Sequence, residues 1–114
     1  MIGDEAGRTV SERQRAICRK FGLDATPPET MVAMAIGTLG NMPVYGTRVP
    51  LPEGGNISWF IHCGEYSDAP DFYQPLHVEH LAQRLPRVLD YLALPPGARF
   101  IIDDQGYEDA WLGE

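Results

Sequence analysis

The chain contains a single lysine, Lys20, and its nine basic residues face sixteen acidic ones, for a net charge of -7. Binding a phosphate backbone requires a basic face, so nucleic acid is excluded as the main partner. Only two cysteines occur, Cys18 and Cys63. They are too few and too far apart for a disulfide framework, and a reduced, cytoplasmic setting is expected. No apolar run approaches the roughly 18 residues of a membrane span, so no membrane partner is expected. The opening Met-Ile-Gly-Asp-Glu-Ala-Gly lacks the basic and apolar regions of a signal peptide. Internal repeats and low-complexity tracts are also missing. The 114 residues fit one compact domain. We expect residues 1–10 to be a flexible N-terminus and residues 11–114 a single folded unit.

The charge that is present is unevenly placed. Residues 1–52 hold five acids and six bases, whereas residues 53–114 hold eleven acids and three bases. An acidic C-terminal half serves solubility. It also fits a surface that attracts a basic partner with fast, salt-sensitive association.

Periodicity and punctuation divide the chain into short elements. Ser11-Glu12-Arg13-Gln14 reads as a capping box, Ile17 and Phe21 share a face, and Gly22 suits a helix C-terminus, which predicts a helix over 11–21. Thr26-Pro27-Pro28 is a linker. Residues 31–39 are a short apolar run, compatible with strand or helix on periodicity alone, with a buried strand favoured. Residues 43–49 read as a second strand and 50–56 as an exposed loop. Residues 57–63 are the best strand in the chain, with Ile57, Trp59, Ile61 and Cys63 on one face and Ser58, Phe60 and His62 on the other. Residues 64–75 read as a loop and 76–85 as a helix with Val78, Leu81, Ala82 and Leu85 inward. Pro86 opens a second short helix that Pro95-Pro96-Gly97 stops. Residues 99–103 and 107–112 form a hairpin across Asp104-Gln105-Gly106. This order implies an α+β domain: a mainly antiparallel sheet with short helices packed on one face.

Catalytic patterns are scarce. His77 and His80 stand i,i+3 on the expected helix with Glu79 between them, and His62 ends the strong strand. Zinc needs three or four convergent ligands, of which this helix supplies two, and His77-Val78-Glu79-His80 is not the metalloprotease H-E-x-x-H. Exposed, hydrogen-bonded histidines are the simpler account, and no metal or other cofactor is expected. Cys63 sits on a buried strand, where a thiol acts as a small apolar group. Neither Ser58 nor Ser67 lies in a Gly-x-Ser-x-Gly elbow, and no glycine-rich phosphate motif occurs.

Two polar and aromatic clusters remain. The first holds Glu65, Tyr66, Asp68, Asp71, Phe72, Tyr73 and Gln74, and the second Tyr107, Glu108, Asp109 and Trp111. Aromatic anchors with a charged rim are what a protein-binding surface needs. For Trp59, Phe60 and Phe100, inside strands, core packing is the expected role. For Phe72, Tyr73 and Trp111 packing and anchoring both stand open.

The same stretches carry a resemblance. Leu51-Pro52-Glu53-Gly54-Gly55-Asn56-Ile57-Ser58-Trp59-Phe60-Ile61, Gly64-Glu65, Asp71-Phe72-Tyr73-Gln74-Pro75-Leu76-His77-Val78-Glu79-His80-Leu81, Tyr91-Leu92-Ala93-Leu94-Pro95-Pro96-Gly97-Ala98-Arg99-Phe100 and Gly106-Tyr107-Glu108-Asp109-Ala110-Trp111 form one block. Over about residues 43–112 it resembles small bacterial proteins of immunity protein family 33. That resemblance implies a member of a polymorphic toxin system, a non-catalytic immunity protein that binds and neutralises a cognate toxin. Its partner would be a protein toxin, basic in charge. Glu65, Asp68, Asp71, Glu108 and Asp109 would steer it, and Phe72, Tyr73, Tyr107 and Trp111 would anchor it. The alternatives are a small-ligand or metal-binding accessory protein using His77 and His80, with His62 or Glu79, and, last, a small hydrolase built on a carboxylate or Cys63.

Overall fold

The computed structural model describes residues 9–113. Residues 1–8, most of the expected flexible N-terminus, lie outside the described residues. Thr9 and Val10 do not belong to such a tail, because helix α1 (Val10–Phe21) begins there. The Thr9 hydroxyl accepts from the Glu12 amide at 3.1 Å, and the Glu12 carboxylate accepts from the Thr9 amide at 3.0 Å. The capping box is therefore Thr9/Glu12 and not Ser11/Gln14. Gln14 is needed elsewhere: its side chain is buried and donates to the Leu89 carbonyl at 2.9 Å. Gly22 closes the helix at φ 70, a left-handed value that glycine adopts at least cost.

Six strands follow: β1 (Met31–Met34), β2 (Val44–Arg48), β3 (Trp59–Cys63), β4 (Gln74–His77), β5 (Ala98–Ile102) and β6 (Glu108–Leu112). They form one sheet in the order β4-β1-β3-β2-β5-β6. Only β1 and β3 run parallel; the other neighbours are antiparallel. The apolar run 31–39 divides into strand β1 and a 3-10 turn over Ile36–Thr38.

Strand β4 corrects the sequence reading, which placed 64–75 in a loop and began a helix at 76. Leu76 and His77 instead pair with Val32 and Met31 of β1, and only then does helix α2 (Val78–Arg84) start. Tertiary pairing decides here, because Pro75 and its polar neighbours carry no alternating pattern. An edge position tolerates Pro75, since its missing N–H costs no ladder bond on the open side. Helix α2 has no side-chain cap; the Val78 amide donates to the Thr30 carbonyl at 2.9 Å instead. It ends at Leu85, whose φ of -138 and ψ of 69 lie outside the helical region that a following proline disfavours. Pro86 then opens a 3-10 helix over Pro86–Tyr91.

The helices stand on one face of the sheet. Val32, Met34, Val44, Trp59, Ile61, Cys63, Phe100 and Ile102 point into a core shared with Cys18, Leu81, Val88, Tyr91 and Leu92. Glycine is required at one point of this core. A Cβ on Gly46 would stand 2.2 Å from the Phe100 ring, so β2 omits a side chain where that ring crosses it.

Arg48 is the core's polar hub and is only 2% exposed. It donates to Ser58 Oγ, to the carbonyls of Thr26, Pro27, Leu92 and Leu94, and to Glu29. Burial pushes its pKa down and Glu29 counters that shift. One guanidinium thus ties the proline linker, the segment after the 3-10 helix and strand β2 together, using the fork of donors that only arginine offers.

Candidate functional site

The face opposite the helices is lined by alternating residues of the same strands. Phe60 and His62 from β3, Tyr45 and Thr47 from β2, and Ile101 from β5 are all half-buried on it, and Arg99, Asp109 and Trp111 are exposed. Register places these side chains in rows. Phe60 is opposite Thr47, which is opposite Arg99, which is opposite Trp111. Tyr45 is opposite both His62 and Ile101, and Ile101 is opposite Asp109.

The rings on this face connect. Tyr45 and His62 stack with centroids 4.8 Å apart and planes at 16°. His62 meets Tyr66 at 5.8 Å and Phe72 at 5.9 Å, and those two meet edge to face at 5.4 Å. Phe72 contacts Tyr73 at 5.0 Å, and Tyr73 contacts Phe60 at 5.2 Å. Offset and edge-to-face pairs of this kind are each worth about 0.5–1.5 kcal/mol beyond area burial. Beside this cluster, Tyr45, Thr47, His62, Arg99, Ile101 and Trp111 border a shallow hollow of about 260 Å³.

The predicted site residues divide between the two faces. Phe72 and Tyr73 belong to the ring cluster and are half-buried in it, away from the helix-side core. Glu65, Asp68 and Asp71 are exposed in the same loop, and no salt bridge engages them among the described residues. Asp109 and Trp111 lie at the β6 edge of the same sheet face. Tyr107 is exposed in the hairpin turn, 51% accessible. Glu108 is separated from them: it accepts from Tyr91 Oη and Lys20 Nζ on the helix side. Burial would raise its pKa, but the hydrogen bonds from Lys20 and Tyr91 outweigh that and hold it below the usual carboxylate value.

Tyr45, Phe60 and His62 join the candidate site although the sequence reading places none of them among the partner-binding residues and names His62 only as a possible metal or small-ligand residue. Phe60 was expected in the core; it sits half-buried on the open face because the core face of β3 is taken by Trp59, Ile61 and Cys63. The signal was available in the period-2 split of β3, which put Phe60 and His62 together and away from those three.

The arrangement offers recognition more readily than catalysis. His62 is surrounded by rings, and burial pushes its pKa down, favouring neutral imidazole. Its Nδ1 lies 3.5 Å from Tyr73 Oη, too long for a strong hydrogen bond. Cys63 points into the core, fully buried, and burial pushes its thiol up, away from the reactive thiolate. His77 is a strand residue, not a helical one, and its ring lies 6.0 Å from that of exposed His80. Among the described residues no group of three or more His, Cys, Asp or Glu side chains could hold a metal ion. Among the described residues, no helix is long and apolar enough to cross a membrane. On the helix side, an apolar cavity of about 330 Å³ opens between Val44, Leu85, Val88 and Ile102. Its rim arginine Arg87 is occupied by the Asp103 carbonyl, at 2.7 Å.

Compared with known families, residues 13–113 match the model of the Imm33-like domain. The chain belongs to the Imm33-like family. The match spans all six strands and all of α1 but its first three residues, so the open sheet face lies wholly within the family's domain. No curated protein and no solved structure matched the chain.

Proposed function

We propose that this Imm33-like protein is a non-catalytic, cytoplasmic immunity protein that binds a toxin of a bacterial polymorphic toxin system and blocks it by occupying its surface. The observation that supports this reading is the uncovered sheet face, where connected aromatic rings lie beside carboxylates that have no ionic partner among the described residues. Phe72, Tyr73 and Trp111 anchor the partner, with Tyr45, Phe60 and His62 between them. Glu65, Asp68, Asp71 and Asp109 form the charged rim and steer a basic toxin, while Tyr107 flanks the contact. Glu108 supports the fold from behind. Rings at the centre and charge at the rim are the usual division of labour in a protein interface.

The test is co-expression with the candidate toxin recovered by affinity capture with the tagged protein as bait. The protein should protect the cell and co-purify with the toxin stoichiometrically, and both properties should be lost together in Trp111→Ala/Phe72→Ala. Association should slow as salt rises. Toxicity undiminished in the presence of the folded protein would overturn the reading.

A further inference from the structure

The open face is not uniform in charge. From residue 49 to residue 83 the chain has no lysine or arginine but five acids: Glu53, Glu65, Asp68, Asp71 and Glu79. Three of these belong to the loop that also carries Tyr66 and Phe72. At the far end of the face the charge is balanced, because exposed Arg99, opposite Trp111, is offset by exposed Asp109, opposite Ile101. The loop end, with three acids and no base, therefore attracts cations more strongly than the β6 end.

The rings at the loop end suit a cation as well. Tyr66 is 63% exposed and sits edge to face with both His62 and Phe72, so ring faces remain open to a ligand. His62 lies at the centre of the group, and burial pushes its pKa down, which disfavours a competing positive charge there. An aromatic face attracts an ammonium or guanidinium through its quadrupole, and nearby carboxylates add to the attraction. Guanidinium gains more, because its plane stacks on a ring while its donors reach carboxylates.

We propose that Tyr66, Phe72 and His62, with the carboxylates of Glu65, Asp68 and Asp71, form a receptor for an arginine side chain on a basic segment of the protein partner. This rests on the reading of the sheet face as the toxin-binding surface. It adds a polarity: the partner's basic segment lies over the loop end, and its apolar contacts run toward Trp111.

The test is an aromatic carbon–proton NMR titration of the protein with an acetylated tri-arginine amide, and in parallel with its tri-glutamine counterpart. The arginine peptide should shift the Tyr66, Phe72 and His62 ring signals saturably, and the glutamine peptide should not. Tyr66→Ala should weaken binding about two- to fivefold, the range of an exposed cation–π contact, whereas Tyr66→Phe should retain it. Asp68→Asn/Asp71→Asn should weaken binding and flatten its salt dependence. The proposal is overturned if the rings do not respond, or if the shifts spread equally to the ring of Tyr107, which stands beside Asp103 and Asp104 in the hairpin turn. Ring signals that move with protein concentration alone would also overturn it, because a second copy of the chain would then be the occupant. Toxin neutralisation that persists while the arginine peptide fails to bind would remove this receptor and leave the face as the interface. Arginine binding without toxin neutralisation would remove the interface reading alone.

Discussion

Tyr45 and His62 face each other across the β2–β3 ladder, and their rings stack at 4.8 Å on the side of the sheet that no helix covers. A cross-strand pair of this kind stabilises a sheet. Here it also builds a flat apolar platform from which Tyr66 and Phe72 rise. The platform is rigid because the other face of the same two strands is fixed by Trp59, Ile61, Val44 and Arg48 in the core.

His62 makes the stability of that platform depend on pH. Burial lowers its folded pKa below the ordinary 6.5. The unfolded chain then binds more protons between the folded value and 6.5, so stability falls as pH drops through that window. Urea denaturation on both sides of it should show the loss in the wild type and not in His62→Phe. Equal pH profiles for the two proteins would contradict this assignment.

Glu108 acts in a separate, more acidic window. Its folded pKa lies below 4.5 because the bonds from Lys20 and Tyr91 outweigh burial. Its contribution is complete above 4.5 and is lost as pH falls through the folded value. Glu108→Gln should cost about 1.5–3 kcal/mol at neutral pH, in the range of a hydrogen bond to a charged group, and should flatten the acid limb of the stability curve. An unchanged acid limb would assign it to other carboxylates.

Removing Arg48 should be among the most damaging single changes. Arg48→Met takes away the ionic partner of Glu29, which keeps only the Ser58 hydroxyl, and leaves the Thr26, Pro27 and Leu94 carbonyls without the guanidinium donor, while the Leu92 carbonyl keeps Trp59 Nε1. The expected loss is about 3–5 kcal/mol in chemical denaturation, a large part of the roughly 5–15 kcal/mol of a domain. Arg48→Lys should rescue only partly, because an ammonium cannot span acceptors on three segments. Full rescue by lysine would contradict the hub.

Gly46→Ala tests the close approach of Phe100. That ring is also held by Trp59 at 5.4 Å and Tyr91 at 5.1 Å, so it cannot swing aside. The alanine should cost about 1–3 kcal/mol as an overpacked core does, and Phe100→Leu in the same chain should recover part of it. Additive losses in the double-mutant cycle would show that the two residues do not share space.

The fold class and most strands were legible because short apolar runs bounded by glycine and proline carry their own signal, as at 57–63 and 98–112. Strand β4 was not, because Gln74-Pro75-Leu76-His77 becomes a strand only by pairing with β1. Thr9 was missed as the cap since Ser11 offers the same chemistry two residues later, and only the burial of Gln14 decides between them. The Phe72 and Tyr73 end of the candidate site could be named from composition. The junction with Tyr45, Phe60 and His62 needed the strand order, which brings residues distant in sequence to one face. Glu108 read as a rim acid because its neighbours are rim residues, yet strand alternation turns it toward Tyr91.

The most direct measurement of the central claim is calorimetric binding of the purified toxin to three forms of the protein. These are the wild type, Tyr66→Ala/Trp111→Ala on the open face, and Arg15→Ala on exposed helix α1. Both face residues are exposed, at 63% and 38%, so the double variant should fold. The account predicts that the face variant loses about a hundredfold or more in affinity, as central aromatic anchors do, while Arg15→Ala binds like the wild type. Undiminished binding by the face variant, or a comparable loss in Arg15→Ala, would contradict it.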